Sequence, residues 1–309
     1  MLSKLPDMQH SKLRQTDYVL STCMGCMPEK DEQRRDVLQY MEFERVLIDE
    51  AGQMTEILTL GPQVRGCKQV VLIGDHQQLP PSVSREAAKQ GMAISLFERL
   101  VESDFDPVIL DTQYRFHPSI GEYPSCRYYE ARLRPGREAS DFALPLGFPW
   151  PNEACPVCFV PAAGSEERGP HGRSFQNVDE ATMVSSIVGS LMDGDAGELA
   201  VLATYAAQVV VLKDVLARQV EQGVVIETID AFQGREADVV VVSLVRSNTK
   251  KRLGFVEDER RMNVALTRGR NGIIVLGDPC TLEDDALAWG DWIRWARKRG
   301  LVLEASGLV

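Results

Sequence analysis

Short apolar runs alternate along this chain with longer stretches whose apolar residues recur every three or four positions. Near-continuous runs rich in Val, Ile and Leu occupy residues 45–49, 69–74, 199–204, 224–228, 239–245 and 272–277. Such runs, without polar alternation, suit parallel strands covered on both faces. Shorter strand-like runs lie at 18–21, 108–110 and 157–160. Residues 94–102, 179–192, 206–222 and 257–266 carry helical spacing, and a last helix is expected over 282–299. Strand–helix alternation predicts an α/β fold with right-handed crossovers. In such sheets ligands bind beyond the carboxyl ends of the strands, so polar residues just after the runs are the first place to look.

The segment 133–170 breaks the pattern. It is rich in Pro, Gly and Arg and reads as an irregular excursion from the sheet. A boundary is expected in Glu102-Ser-Asp-Phe-Asp-Pro107, giving a first domain over 1–105 and a second over 106–309. No internal repeat is visible. Trp289, Trp292 and Trp295 recur at three-residue spacing in the last helix. This reads as a packing stripe in preference to a base-stacking platform.

Composition narrows the classes. The 309 residues are 44% apolar, enough for a substantial core, and carry a net charge of −11. That charge argues against a surface coated in Lys and Arg for indiscriminate grip on nucleic acid. It leaves room for a local groove. No run of eighteen apolar residues exists, so no membrane span is expected, and the start Met-Leu-Ser-Lys-Leu-Pro lacks a secretory apolar block. Seven scattered cysteines suit free thiols in a reducing compartment, cytoplasmic or nuclear. Cys23/Cys26 and Cys155/Cys158 have C-x-x-C spacing and could be drawn as a zinc site. Their place beside or inside apolar runs favours ordinary packing.

Several loops carry more chemistry than a turn needs. Asp49-Glu50 closes the run at 45–49; one carboxylate there can hold Mg²⁺ and its neighbour can orient or deprotonate water. Two exposed acids in a turn are the plain alternative. Gly74-Asp-His-Gln-Gln-Leu-Pro-Pro81 places two amides between a tight turn and two helix-breaking prolines. In Gln113-Tyr-Arg-Phe-His-Pro118 an aromatic ring can stack on a base while the adjacent Arg reaches phosphate. Asp230-Ala-Phe-Gln-Gly-Arg-Glu236 and Met262-Asn-Val-Ala-Leu-Thr-Arg268 each join an apolar run to a polar loop. An Arg fixed there suits charge building on a γ-phosphate.

These segments, in this order and spacing, resemble the motifs of superfamily 1 helicases. The nearest group contains the nonsense-mediated-decay helicase, senataxin and the immunoglobulin mu-binding helicase. Lesser matches are Ser21-Thr-Cys23, Ser174-x-x-Asn177-x-x-Glu180 and Tyr205-x-x-Gln208. The resemblance runs from about residue 16 to 299. It implies two RecA-like parallel-sheet domains of a P-loop NTPase, the first incomplete. It also implies ATP and Mg²⁺ as cofactors, single-stranded RNA or DNA as partner, and protein partners reached through missing upstream regions. By the same resemblance Asp49 holds Mg²⁺ through water, Glu50 is the catalytic base and Gln78 the γ-phosphate sensor. Tyr114 stacks on adenine, Arg115 and Arg268 are arginine fingers, and Glu236 contacts the ribose with Gly234 close to the nucleotide. Ser21, Thr22, His117, Pro118 and Thr228 line the strand groove. ATP would then be gripped from both halves of the chain.

One motif of that family is missing. Its Gly-rich loop ends in Gly-Lys-Thr or Gly-Lys-Ser, and the dipeptide Gly-Lys occurs nowhere in the sequence. The expectation is a carboxy-terminal portion of a longer helicase with little ATPase activity of its own. The alternatives are a non-catalytic module that binds nucleic acid or a protein, the helicase part of a nuclease–helicase, and a metalloprotein built on the cysteines.

Overall fold

The computed structural model describes residues 11–13, 15–27, 38, 41–103, 105–162, 164–170, 172, 174–284 and 288–303. The chain divides into two compact units, Met1–Val108 and Ile109–Val309. As the apolar runs predict, it is a mixed α/β protein built on parallel strands.

In the first unit two parallel strands, β1 (Arg45–Ile48) and β2 (Gln69–Leu72), pair in register with Ile48 opposite Leu72. The helix Glu56–Gln63 lies between them in sequence. Helices Arg85–Lys89 and Leu96–Glu102 follow, each started by a serine whose side chain accepts a backbone N–H: Ser84 from Ala87 and Ser95 from Glu98. The core is small. Val46, Ile48 and Ala51 are buried, with Phe43, Met54, Leu72 and Phe97 packed against them.

Here two expectations fail. Cover on both faces is not achieved: Leu47 and Val71, partners across the pair, are 68% and 50% exposed. The runs at 18–21 and 108–110 form no strand, and Tyr18, Leu20, Val108 and Leu110 are all largely exposed. A strand needs a neighbour for its N–H and C=O groups, and neither run has one among the described residues.

The second unit holds a five-stranded, all-parallel sheet. In chain order the strands of this unit are β3 (Thr112–Gln113), β4 (Arg134–Pro135), β5 (Val157–Pro161), β6 (Glu167–Arg168), β7 (Phe175–Gln176), β8 (Leu199–Ala203), β9 (Val225–Thr228), β10 (Ala237–Ser243) and β11 (Gly269–Gly277). The sheet has the order β5-β11-β10-β8-β9. β3 and β4 form a separate short parallel pair, and β6 and β7 an antiparallel one. Val239, Val240, Val241 and Val242 of central β10 are at most 1% exposed. Each such side chain contributes about 1.5–3 kcal/mol relative to exposure. The core on one face gathers Val184, Ile187 and Leu191 of the helix Val178–Asp193 with Leu212 of the helix Ala206–Val215.

Three details differ from the sequence pattern. The helix expected over 206–222 breaks at Leu216 (φ −107°, ψ 22°), which is fully buried, and restarts as Ala217–Glu221. The last helix is Trp289–Lys298, preceded by Pro279–Leu282; residues 285–287 of the expected span lie outside the described residues. The excursion 133–170 contributes the edge strand β5 together with buried Phe148 and Trp150, whose indole N–H donates to the Pro145 carbonyl at 2.8 Å. Polar and turn residues around it mask that core contribution.

Among the described residues no helix is long and apolar enough to cross a membrane. The seven cysteines are free thiols. Burial pushes the thiols of Cys23, Cys155 and Cys158 up, Cys158 to about 12, so each stays protonated at neutral pH, which disfavours metal binding.

Candidate nucleotide and nucleic-acid site

In the first unit the chemistry follows the carboxyl ends of β1 and β2. Asp49 and Glu50 are exposed just past Ile48. The Glu50 N–H donates to Asp49 Oδ1 at 2.9 Å, and Gln53 Nε2 donates to Glu50 Oε2 at 2.7 Å. Glu50 sits in the left-handed region (φ 51°, ψ 38°), a strain of order 1–3 kcal/mol for a side-chain-bearing residue. The turn is stitched to the next loop. Ala51 N–H donates to the Ile73 carbonyl and Ile73 N–H to that of Ile48, both at 2.8 Å.

Glycine makes this contact feasible. A Cβ on Gly74 would lie 2.8 Å from the Gly52 nitrogen. Asp75 then organises its own loop, accepting from the Gln77 N–H at 2.9 Å and from Gln78 Nε2 at 2.8 Å. Asp49, Glu50 and Gln78 thus share the carboxyl edge of one strand pair. The exposed Asp49 carboxylate offers the hard oxygen that a hydrated Mg²⁺ takes.

In the second unit the candidate residues lie at the other edge. Glu236 immediately precedes β10 and Arg268 immediately precedes β11, so both are at amino-terminal strand ends. The search beyond carboxyl ends misplaces them. Arg115 Nε pairs with Glu236 Oε2 at 2.7 Å, and Arg270 Nη1 lies 3.5 Å from Glu236 Oε1. Arg270 is held in turn by Asp238 at 3.0 Å and Glu198 at 2.6 Å, while its carbonyl accepts from the His117 N–H at 2.8 Å. Arg270 is thus a hub, which no motif marks.

Gln113 shapes the Tyr114–Arg115 turn. Its Oε1 accepts from the N–H groups of Arg115 and Phe116, both at 3.0 Å, and its Nε2 donates to the Phe116 carbonyl at 2.8 Å. Phe116 is buried while Tyr114 is 64% exposed, its ring lying across Gly136, where a Cβ would be 2.4 Å from the ring. An exposed ring beside a guanidinium can stack on a base.

Arg268 is unlike Arg115. It is 2% exposed, with Nε donating to the Val264 carbonyl at 3.0 Å and Nη2 to Thr267 Oγ1 at 2.9 Å. Gly234 is exposed with φ 79°, and beside it the Gln233 amide nitrogen is buried without a hydrogen-bond acceptor among the described residues.

Most of the side chains expected in a strand groove are engaged within their own turns. Thr22 Oγ1 accepts from the Gly25 N–H at 3.0 Å, and Ser21 Oγ donates to the Thr22 carbonyl at 3.2 Å. Thr228 caps the helix Ile229–Phe232, accepting from Ala231 at 3.2 Å. His117 is buried; its Nδ1 accepts from the Ser119 N–H at 3.2 Å to start the helix Pro118–Tyr128, and burial lowers its pKa.

Two of the three lesser motifs, 174–180 and 205–208, converge in a buried polar network at the carboxyl edge of the sheet. Ser243 Oγ donates to Glu180 Oε1 at 2.5 Å, and the Val245 N–H donates to the same oxygen at 2.9 Å. Gln208 Nε2 donates to Ser243 Oγ at 3.0 Å, and Asn177 Nδ2 to the Val245 carbonyl at 3.3 Å. Val245 carries φ 72°. Complete burial pushes Glu180 up to about 7, and its Oε2 has no hydrogen-bond partner among the described residues. The cluster ties the helix at 178–193 to the end of β10, while the Tyr205 hydroxyl donates elsewhere, to the Leu253 carbonyl at 3.2 Å.

Comparison with known proteins places these features in context. The AAA-domain family AAA_12 matches residues 92–280, and a second AAA-domain family, AAA_11, matches residues 4–86. The chain is 36% identical over 307 residues to the Regulator of nonsense transcripts 1 homolog of Drosophila melanogaster, covering 96% of this chain and 25% of that one. It is 39% identical over 280 residues to the homolog from Neurospora crassa, covering 87% and 25%. It is 37% identical over 304 residues to the ATP-dependent helicase NAM7 of Saccharomyces cerevisiae, covering 95% and 30%. The chain thus spans between a quarter and a third of the length of these relatives.

Proposed function

Because this chain belongs to the AAA-domain helicases of superfamily 1, in the group of the regulator of nonsense transcripts 1, we propose that it is the carboxy-terminal part of an ATP-dependent helicase. In this reading ATP hydrolysis drives movement along single-stranded RNA or DNA. The observation that carries it is Glu236 held between Arg115 and Arg270, with the exposed Tyr114 preceding Arg115 in the chain. A carboxylate that can accept from ribose hydroxyls, a guanidinium and an aromatic face are the three complements of a nucleoside phosphate.

The roles follow from the chemistry of each side chain. Asp49 would hold Mg²⁺ through water, and the ion would supply neutralisation of phosphate charge. Glu50 takes a proton from the attacking water and Gln78 contacts the γ-phosphate. Tyr114 stacks on adenine; Glu236 meets the ribose, with Gly234 close to the nucleotide. Arg115 stabilises charge on the transferred phosphoryl group. Arg268 does the same after leaving the Val264 carbonyl, so its use requires a rearrangement of the turn that buries it. Ser21, Thr22, His117, Pro118 and Thr228 contact the strand, through backbone atoms at the capped positions.

The sequence contains no Gly-Lys dipeptide and so no phosphate-loop lysine. The 309-residue chain alone is therefore proposed to bind ATP weakly and to turn it over little. Titration with a fluorescent ATP analogue in Mg²⁺ tests this. Saturable binding, weakened about tenfold by Glu236→Ala, is expected, with ATPase activity near background in the presence of oligouridylate. Robust stimulated turnover that Glu50→Gln abolishes would overturn the claim of deficiency. No saturable binding would favour a non-catalytic module that binds nucleic acid or a protein.

A further inference from the structure

Cys23 and Cys26 are free, half-buried thiols of the first unit that no step of the proposed chemistry uses. The backbone winds them onto one face. Met24–Cys26 is a single 3₁₀ turn, and Cys23, which starts it, already has helical torsions (φ −57°, ψ −36°). The Cys26 N–H donates to the Cys23 carbonyl at 3.2 Å and closes the turn. In such a turn the side chains at i and i+3 eclipse, and three steps of about 2.0 Å set their Cα atoms about 6 Å apart. A disulfide spans Cα separations of roughly 4.4–6.8 Å. Burial and, after it, the neighbouring Cys26 thiol push the Cys23 thiol up, so the two sulphurs lie within electrostatic reach of each other.

The turn is anchored at both ends. Buried Arg65 donates from Nε to the Cys26 carbonyl at 2.8 Å and from Nη1 to the Leu38 carbonyl at 2.6 Å. Gly61 of the helix Glu56–Gln63 packs so closely that an added Cβ would lie 2.9 Å from the Cys23 carbonyl oxygen. The Cys23 side chain rests on the small core of Val46, Ile48 and Ala51. Packing by the rest of the unit thus holds the two sulphurs in register. Among the described residues no group of three or more His, Cys, Asp or Glu gathers to hold a metal ion, so the pair lacks the ligand set of a zinc site.

We propose that Cys23 and Cys26 are a reversible redox couple, closed into an intramolecular disulfide by exchange with a low-molecular-weight disulfide such as oxidised glutathione. The Cys26 thiolate attacks one glutathione sulphur, the glutathione S–S bond breaks, and one glutathione thiolate leaves. The Cys23 thiol then gives up its proton and attacks the Cys26 sulphur, expelling the second glutathione. Two protein thiols are oxidised, one glutathione disulfide is reduced to two thiols, and the two protons lost by the protein end on those thiols. Cys26 attacks first because burial and its neighbour keep Cys23 protonated. The couple follows directly after Ser21 and Thr22, yet its formation stands apart from the helicase reading.

Glutathione titration tests it. The reduced 309-residue chain is equilibrated at mildly alkaline pH with buffers of graded glutathione disulfide-to-thiol ratio, trapped with N-ethylmaleimide and digested for mass spectrometry. Cys23 and Cys26 are expected to lose their maleimide labels together and to appear in one peptide lighter by two hydrogens, in a transition that excess reduced glutathione reverses. In urea that unfolds the chain, the same transition is expected to need a buffer about tenfold or more further toward oxidation, because the folded turn holds the sulphurs in place. In Cys23→Ser, Cys26 is expected to stop at the mixed disulfide with glutathione. The proposal falls if both cysteines keep their labels in buffers that glutathionylate exposed Cys126. It falls equally if they oxidise as separate glutathione adducts or into links with Cys67 or another cysteine. A transition that urea leaves unchanged or makes easier would also overturn it, since the fold would then contribute nothing to the pair.

Discussion

The two units place their candidate chemistry at opposite ends of their strands. In the first, Asp49 and Glu50 follow β1 and Gln78 follows β2, in loops locked together by the close approach of Gly52 and Gly74. In the second, Glu236 and Arg268 precede β10 and β11. The carboxyl edge of that second sheet is filled by Asn177, Glu180, Gln208 and Ser243, all fully buried. That network is turned inward, onto backbone and side chains of the fold. The packing differs as well. Central β10 is covered on both faces, whereas Leu47 and Val71 leave one face of the β1–β2 pair apolar and exposed. An apolar run states a demand for burial; neighbouring strands and helices determine whether it is met.

The sharpest break of that comparison is a charge placed in each sheet. Val241 is 1% exposed in β10, and Val71 is 50% exposed in β2. Val241→Asp should destabilise by more than about 4 kcal/mol, because the carboxylate has neither water nor partner. Val71→Asp should cost about 1 kcal/mol or less, mainly through lost strand preference. Urea unfolding followed by circular dichroism reads both. Similar losses would mean that the outer face of the β1–β2 pair is covered in solution.

The second test addresses the network that occupies the carboxyl edge. Glu180 is raised from 4.5 to about 7 by complete burial. Between those values the folded protein holds a proton that the unfolded chain has released. Stability is therefore fully present below the ordinary value, falls as pH rises through about 7, and levels off above it. The loss amounts to about 3 kcal/mol across that window. Glu180→Gln removes the titrating group, so its stability should change little with pH over the same range. Chemical denaturation at several pH values checks it; an unchanged slope in the variant would assign the pH dependence to other groups.

What could be read from sequence follows the same division. The runs at 199–204, 239–245 and 272–277 became β8, β10 and β11 because residues apolar on every side are stable in a parallel sheet only at covered positions. The runs at 18–21 and 108–110 look alike locally but lack a partner strand among the described residues, which no local pattern reports. At the site, the motifs marked Arg115 and Glu236, and the fold brings them to 2.7 Å. Spacing did not say which of Arg268 and Arg270 turns inward. Arg268 is buried against the Val264 carbonyl and Arg270 reaches Glu236. The capping of helices by His117 and Thr228 left a readable trace at Thr228, a short hydroxyl side chain before an apolar turn.

The smallest expected effects test how tightly each unit is locked, using one glycine from each. Gly74 in the first unit has no room: an added Cβ would stand 2.8 Å from the Gly52 backbone nitrogen and 3.2 Å from that of Ala51. Those atoms belong to the turn that presents Glu50 and cannot move without disturbing it. Gly74→Ala should destabilise by about 1–3 kcal/mol. Gly189, inside the helix Val178–Asp193 of the second unit, has nothing within 4 Å of where an added methyl group would sit. Gly189→Ala should stabilise by up to about 1 kcal/mol, because Ala loses less backbone freedom than Gly on entering a helix. Paired thermal melts of the two variants measure the difference. Opposite signs are expected; a neutral Gly74→Ala would mean that the two loops behind Asp49 and Gln78 are separable, and that their shared edge is not what positions those side chains.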